Sequence, residues 1–185
     1  MKDISLHIMD IVENSVKAGA KTVTLEFTWK GTRLGLLIED DGPGFPESIR
    51  DNPADPFKTT RKERKVGLGL PLLKDTAEQC EGWLKIGSST TGGVKLETEF
   101  NMAHIDSKPL GDIEDMIVTF ITIWPQMNWV IKLNPGGEVL NTAALREELG
   151  DLDMSNRQIR DFFLKELMDE FKPLEDWIAG ITPGF

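Results

Sequence analysis

The chain of 185 residues has a single cysteine, Cys80, so no internal disulfide can form and the composition suits a reducing compartment. It has no long hydrophobic run. The most apolar stretch, Met116 to Trp124, falls far short of the roughly 20 residues that span a bilayer. The first residues lack the basic start and apolar block of a signal peptide. Basic residues are in deficit, 21 against 31 acidic. The net charge of −10 argues against nucleic acid or anionic membrane as a partner held by bulk electrostatics. The two histidines form no pair with a cysteine suited to nucleophilic catalysis, and no zinc-like spacing, repeat or low-complexity tract occurs. These absences leave a soluble, cytoplasmic protein as the expectation. With 39% hydrophobic and 28% charged residues, it can bury a substantial core.

Periodicity predicts the elements. Ile8, Ile11, Val12 and Val16 share one side of a helix over Asp3 to Lys17, which Gly19 stops. Val23, Leu25, Phe27 and Trp29 alternate as a half-buried strand. Lys30-Gly31-Thr32 turns into a second strand, Arg33 to Glu39. A polar segment then runs to Val66, followed by a helix at about Leu70 to Gln79. Trp83 to Ser89 and Val94 to Phe100 read as strands joined through Thr90-Thr91-Gly92-Gly93. Beyond Pro109, Ile113, Met116, Ile117, Phe120, Ile121 and Trp124 keep helical spacing despite their β-branched content. A hairpin over Trp129 to Leu140 and two helices, Ala143 to Leu149 and Asn156 to Phe171, complete the chain. The fold class is an α/β (α+β) two-layer sandwich with helices on one face of a mixed sheet. A domain over residues 1–103 is followed by an α+β extension over 104–185.

Three segments carry chemistry. In the first helix Asp10, Asn14 and Lys17 project from one face at i, i+4, i+7. An Asn amide oxygen can ligate Mg²⁺, a carboxylate one turn earlier can activate a nucleophile, and a lysine can meet phosphate. The solvated face of an amphipathic helix has the same pattern. In Asp40-Asp41-Gly42-Pro43-Gly44, a strand ends in carboxylates and breaks into glycines that admit a flat ligand. An ionised carboxylate is acceptor-only, so it can pair with the exocyclic amine of adenine and reject the carbonyl of guanine. A plain Asp-Gly turn reads the same way. In the third segment Lys58, Arg61, Lys62, Arg64 and Lys65 precede Gly67-Leu68-Gly69, which opens a helix whose N-terminal amides favour phosphate. The spacing is too short for a Walker A loop, and the glycines follow a polar loop rather than the strand of a Rossmann fingerprint. A solvated charge run is the plainer alternative.

Taken together and in this order, the segments resemble the ATP-binding domain shared by gyrase B, Hsp-type chaperones, histidine kinases and MutL. Glu13-Asn14-Ser15-Val16-Lys17-Ala18-Gly19-Ala20 resembles the MutL form of the Asn-containing box, and Asp40 to Gly44 the Asp-x-Gly-x-Gly box. Pro56-Phe57-Lys58-Thr59-Thr60, followed by Gly67-Leu68-Gly69-Leu70, resembles the lid and second glycine box of histidine kinases. The similarity covers about residues 3–100. It implies ATP and Mg²⁺ as ligands, with Asn14 binding the metal and Asp40 reading the adenine amine. Gly42 and Gly44 would line the pocket. Lys17, Phe57, Lys58, Gly67, Leu68 and Gly69 would surround the nucleotide and its phosphates. In ATPases of this superfamily the general base lies one turn before the Asn, which here is Asp10. Glu13 points roughly 80–100° away around the helix.

The chain departs from the resemblance in three ways. It begins directly in the Asn-bearing helix, without the dimerisation segment and phosphoacceptor His of a histidine kinase. His7 and His104 are both read as structural. The short strand that often precedes that helix is missing, and the hairpin at Trp129 to Leu140 is expected to complete the sheet instead. The transducer domain of MutL and gyrase is expected to be absent, and residues 101–185 carry no motif that points to a family. The expected function is therefore a kinase in trans or slow ATPase in signalling, with ATP and a separate protein partner or phosphoacceptor. The alternatives are a non-catalytic ATP-gated interaction module and a serine kinase of the anti-sigma-factor type.

Overall fold

The structure, a computed structural model, describes residues 2–45, 69–150, 153 and 156–181. The first helix, α1 (Ile4–Ala18), opens where the Asp3 side chain accepts the Leu6 N–H at 3.0 Å. It closes at Gly19, whose φ of +93° is the left-handed cap. Strands β1 (Thr22–Lys30) and β2 (Arg33–Asp40) form a tight hairpin, with Lys30 opposite Arg33. Then come α2 (Gly69–Gln79), β3 (Trp83–Ser88), β4 (Val94–Asn101) and α3 (Ile113–Ile123). The chain continues through β5 (Asn128–Asn134), β6 (Gly137–Asn141), α4 (Thr142–Leu149) and α5 (Arg157–Ala179).

The six strands form one mixed sheet in the order β3-β4-β2-β1-β5-β6, antiparallel except for the β1–β5 pair. Register places Leu25, Ile38, Leu96, Ile86 and Ile131 in one row across the sheet. That face is buried and packs on helices, which contribute Ile8, Leu73, Ile117, Phe120 and Phe171 to the same core. On the other face Glu26, Leu37, Glu97 and Lys132 are only partly covered. The molecule is thus a two-layer sandwich, as the alternation of β1 and β2 predicts. The hairpin from β5 to β6 joins this sheet: Val23 pairs with Trp129 and Phe27 with Leu133. Trp129 is buried and stacks on Phe120 with ring centroids 5.2 Å apart. Trp124 completes that aromatic cluster, and Trp177 packs on Trp29, so these tryptophans serve packing.

One helix runs further than its sequence suggests. The last helix, predicted to end at Phe171, continues through Pro173 to Ala179. Pro173 lies on the exposed side, where the carbonyl it leaves unbonded can meet water. Leu174, one residue on, is fully buried, and the Trp177 indole donates to the Gly31 carbonyl at 3.0 Å. Packing on the core therefore outweighs the proline.

His7 is fully buried where α1 meets α2, with Nε2 3.2 Å from Thr76 Oγ1 and, among the described residues, no partner for Nδ1. Burial, reinforced by the Lys108 charge and opposed by Asp3, lowers its pKa to about 4 from 6.5. As pH falls through 6.5 the unfolded chain takes up a proton that folded His7 refuses. Stability present above pH 6.5 is therefore lost progressively, and fully below about pH 4. The loss amounts to about 3 kcal/mol. Chemical denaturation at pH 7 and pH 4 should show a smaller acid loss in His7→Gln than in wild type, by about that amount. Comparing the two proteins cancels the other titrating groups.

Candidate functional site

Asp40 ends β2 and turns its carboxylate into the helix-covered side of the sheet, where the residue is 6% exposed. It sits there because the alternation of Leu34, Leu36 and Ile38 carries the core-facing side one step beyond the last apolar residue. Its Oδ2 accepts from Ser15 Oγ at 2.7 Å. Its Oδ1 accepts from the Gly42 N–H at 2.9 Å and the Val94 N–H at 3.2 Å. Three donors thus fix the carboxylate from α1, from its own loop and from β4. Asp41, the next residue, points elsewhere. Its Oδ1 accepts from the Lys21 and Thr22 N–H groups at 2.7 and 2.9 Å, which ties the loop to the start of β1. Burial opposes ionisation of Asp41, but these backbone donors win and hold its carboxyl below the usual range.

The glycines around Asp40 form a cradle that side chains would fill. A Cβ on Gly93 would run into the Asp40 carbonyl and carboxylate. On Gly42 it would stand 3.0 Å from Asp40 Oδ1, and on Gly44, at φ +73°, 3.2 Å from the Gly92 carbonyl. A small open groove runs between Pro43–Phe45 and the facing residues Ile86–Ser88 and Gly92-Gly93. Such a carboxylate beside a glycine-walled groove suits a flat ring carrying an amine.

On α1, Asp10 is half-buried and Asn14 exposed on the same helical face. Asp10 reaches the start of α2: a Cβ on Gly69 would collide with its carboxylate. The glycine therefore leaves room for the Asp10 carboxylate at the N-terminal end of α2. Lys17 is 58% exposed and pairs with Glu13 at 2.5 Å along the helix surface. Phe57, Lys58, Gly67 and Leu68 lie outside the described residues, as do Arg61, Lys62, Arg64 and Lys65. Among the described residues no group of three or more His, Cys, Asp and Glu side chains gathers to hold a metal. Ser15 is a site residue that the spacing argument does not reach. It points to the buried side of α1, away from the Asp10–Asn14 face, and its only sequence mark is its place beside Asn14.

Residues 2–104 match the family described as histidine kinase-, DNA gyrase B-, and HSP90-like ATPase, which covers more than half of the chain. The chain belongs to this family. Among curated proteins, this ATPase domain is 30% identical over 96 residues to the sensor protein PhoQ of Escherichia coli K12. That alignment spans 51% of this chain and 20% of PhoQ. The sensor histidine kinase RegB of Cereibacter sphaeroides is 26% identical over 142 residues, 71% of this chain and 28% of RegB. The chain therefore spans 20% to 28% of the length of these relatives. Of solved structures, the ATP-binding domain of PrrB from Mycobacterium tuberculosis is 26% identical with a TM-score of 0.40, covering 52% of this chain and 66% of that one. The Aquifex aeolicus MutL ATPase domain complexed with ADP has a TM-score of 0.49 at 11% identity, covering 93% of this chain and 70% of that one. Asp40 and its glycines thus lie inside the span that the ATPase family matches. Among the described residues no helix is long and apolar enough to cross a membrane.

Proposed function

We propose that this histidine-kinase-like ATPase domain binds ATP with Mg²⁺ and passes the γ-phosphoryl group to an acceptor on a separate protein. The observation that carries the reading is the immobilised Asp40 carboxylate beside the glycine-walled groove. A carboxylate carries about four lone-pair sites, so three donors leave room to accept the adenine amine. Gly42 and Gly44 line the ring. Asn14 would hold Mg²⁺ through its amide oxygen, a hard ligand of the kind this ion prefers. When bound, the ion would supply charge neutralisation at the phosphates. Lys17, Phe57, Lys58, Gly67, Leu68 and Gly69 would contact the nucleotide and its phosphates. Lys17 leaves its surface pair with Glu13 to do so, at small cost because exposed pairs contribute little.

Neither histidine of this domain suits the acceptor role. His7 is buried. His104 Nδ1 accepts from the Asp106 N–H at 3.2 Å within a tight turn. Slow hydrolysis is the companion activity, with Asp10 as base. The contact between Asp10 and Gly69 favours a second reading, in which the domain is a non-catalytic ATP-gated module. There Asp10 serves to seat α2, and the partner is a protein that senses the bound nucleotide.

Incubation with γ-labelled ATP, Mg²⁺ and fractionated partner proteins separates these readings. Asn14→Ala should lower label transfer or release at least 100-fold, since metal positioning carries most of phosphoryl transfer. Turnover lost in Asp10→Ala with ATP binding kept identifies an ATPase with Asp10 as base. Tight binding without transfer or release, unchanged by Asp10→Ala, identifies the gated module and contradicts the kinase reading.

A further inference from the structure

We propose that Ser89 and Glu39 are positioning residues that clamp the β3–β4 hairpin onto Asp40 and so set the selectivity of the site for adenine. The proposal rests on the nucleotide reading above and assigns work to the hairpin Thr90-Thr91-Gly92-Gly93.

Glu39 and Asp40 are consecutive in β2, so their side chains leave opposite faces of the sheet. Asp40 is held from the helix side. Glu39, on the open side, accepts from Ser89 Oγ at 2.8 Å. Ser89 is 7% exposed, and its Oγ also lies 2.6 Å from Thr91 Oγ1 and accepts the Thr91 N–H at 3.0 Å. Thr91 Oγ1 is in turn 3.3 Å from the Asp40 carbonyl, to which it donates. The Ser89 N–H bonds the Gly93 carbonyl at 2.9 Å and closes the turn. The tip is therefore fastened to both of the last residues of β2. One product of this fastening is the Val94 N–H, which reaches Asp40 Oδ1 at 3.2 Å.

The proton count ranks these contacts. Ser89 and Thr91 have one hydroxyl proton each. When Ser89 gives its proton to the Glu39 carboxylate, the Thr91 proton is left to divide between Ser89 Oγ and the Asp40 carbonyl. The charge-assisted Ser89–Glu39 bond is then the strong anchor and the Thr91 contact follows from it. Without the anchor, Gly93 and Val94 are free to withdraw from Asp40. The carboxylate would then turn away from the ring edge it reads, and a ring bearing a carbonyl in place of the amine would be rejected less strongly.

The test uses the full chain carrying Ser89→Ala, Glu39→Ala or Glu39→Gln. In nucleotide-free protein, amide hydrogen exchange at Val94 reads the clamp directly. It should speed up about tenfold in the two alanine variants and recover most of the way in Glu39→Gln, which keeps an acceptor oxygen. Titration with ATP and GTP then reads selectivity. ATP affinity should fall about tenfold in the alanine variants with GTP affinity little changed, so the preference narrows by that factor. Unchanged Val94 exchange in both alanine variants overturns the clamp. Faster exchange with an unchanged ATP-to-GTP ratio overturns its role in selectivity. Failure of the wild type to bind ATP overturns the nucleotide reading itself and is recognised separately, because the Val94 measurement needs no nucleotide.

Discussion

A chain cut after Ala103 will not fold cooperatively, although it contains almost all of the matched ATPase region. The cut removes β5, the parallel partner of β1 from Thr22 through Thr28. It strips Trp129, Ile131 and Leu133 from the row beside Val23, Leu25 and Phe27. It also removes Phe171, whose ring meets Phe27 edge-on at 5.5 Å, and Trp177, which packs on Trp29 at 6.4 Å. The carbonyls of Pro109 and Leu110, which accept the first amides of α1 from Ile4 and Ser5, go with them. Each large side chain uncovered forfeits about 1.5–3 kcal/mol. Several such losses exceed the roughly 5–15 kcal/mol that holds a domain together. The bared edge of β1 would also invite aggregation. Denaturant unfolding followed by circular dichroism should show a single transition for the full chain and none for residues 1–103. A sharp transition of similar midpoint in the short chain would mean that the extension is a separate unit.

Asp40→Asn should leave the fold intact and abolish ATP binding. The amide oxygen can face Gly42 and Val94 and accept their N–H groups, as Oδ1 does now. The amide nitrogen then takes the place of Oδ2, and the Ser15 hydroxyl, which can rotate, accepts instead of donating. The local network survives, so melting should move by only a few degrees, as expected for about 1 kcal/mol. The ligand sees a reversed polarity: a donor where the adenine amine requires an acceptor. An unmatched buried donor costs affinity by a factor of about 100 or more, and the loss should be smaller for GTP, whose ring carbonyl suits a donor. Thermal melting and equilibrium binding on the same preparation separate the two effects.

Much of this was legible in sequence because it is local. The alternation from Val23 to Trp29 and the helical spacing from Ile113 to Trp124 set element type despite the β-branched content of the latter. The glycine and carboxylate boxes marked Asp40 and its loop. Long-range facts were harder to read. Ser15 lies 25 residues from the carboxylate it holds, and no periodicity of α1 points to that pairing. Helix α5 passes Pro173 because of Leu174 and Trp177, whose burial depends on strands far away in sequence. Spacing puts Lys17 on the Asp10–Asn14 face of α1, but its pairing with Glu13 at i−4 is a matter of rotamers that periodicity does not set. The place of the β5–β6 hairpin beside β1 is not a local property of its own residues. Its parallel sense follows from where β1 and β5 start and end in the fold.

Calorimetric titration of the wild-type chain with ATP in the presence of Mg²⁺ tests the central claim most directly, with Asp40→Asn as its paired control. Saturable binding of one ATP per chain, at least about 100-fold weaker in Asp40→Asn at unchanged stability, is the predicted result. A folded wild-type protein that takes up no ATP, or an Asp40→Asn variant that binds it equally well, would contradict the account.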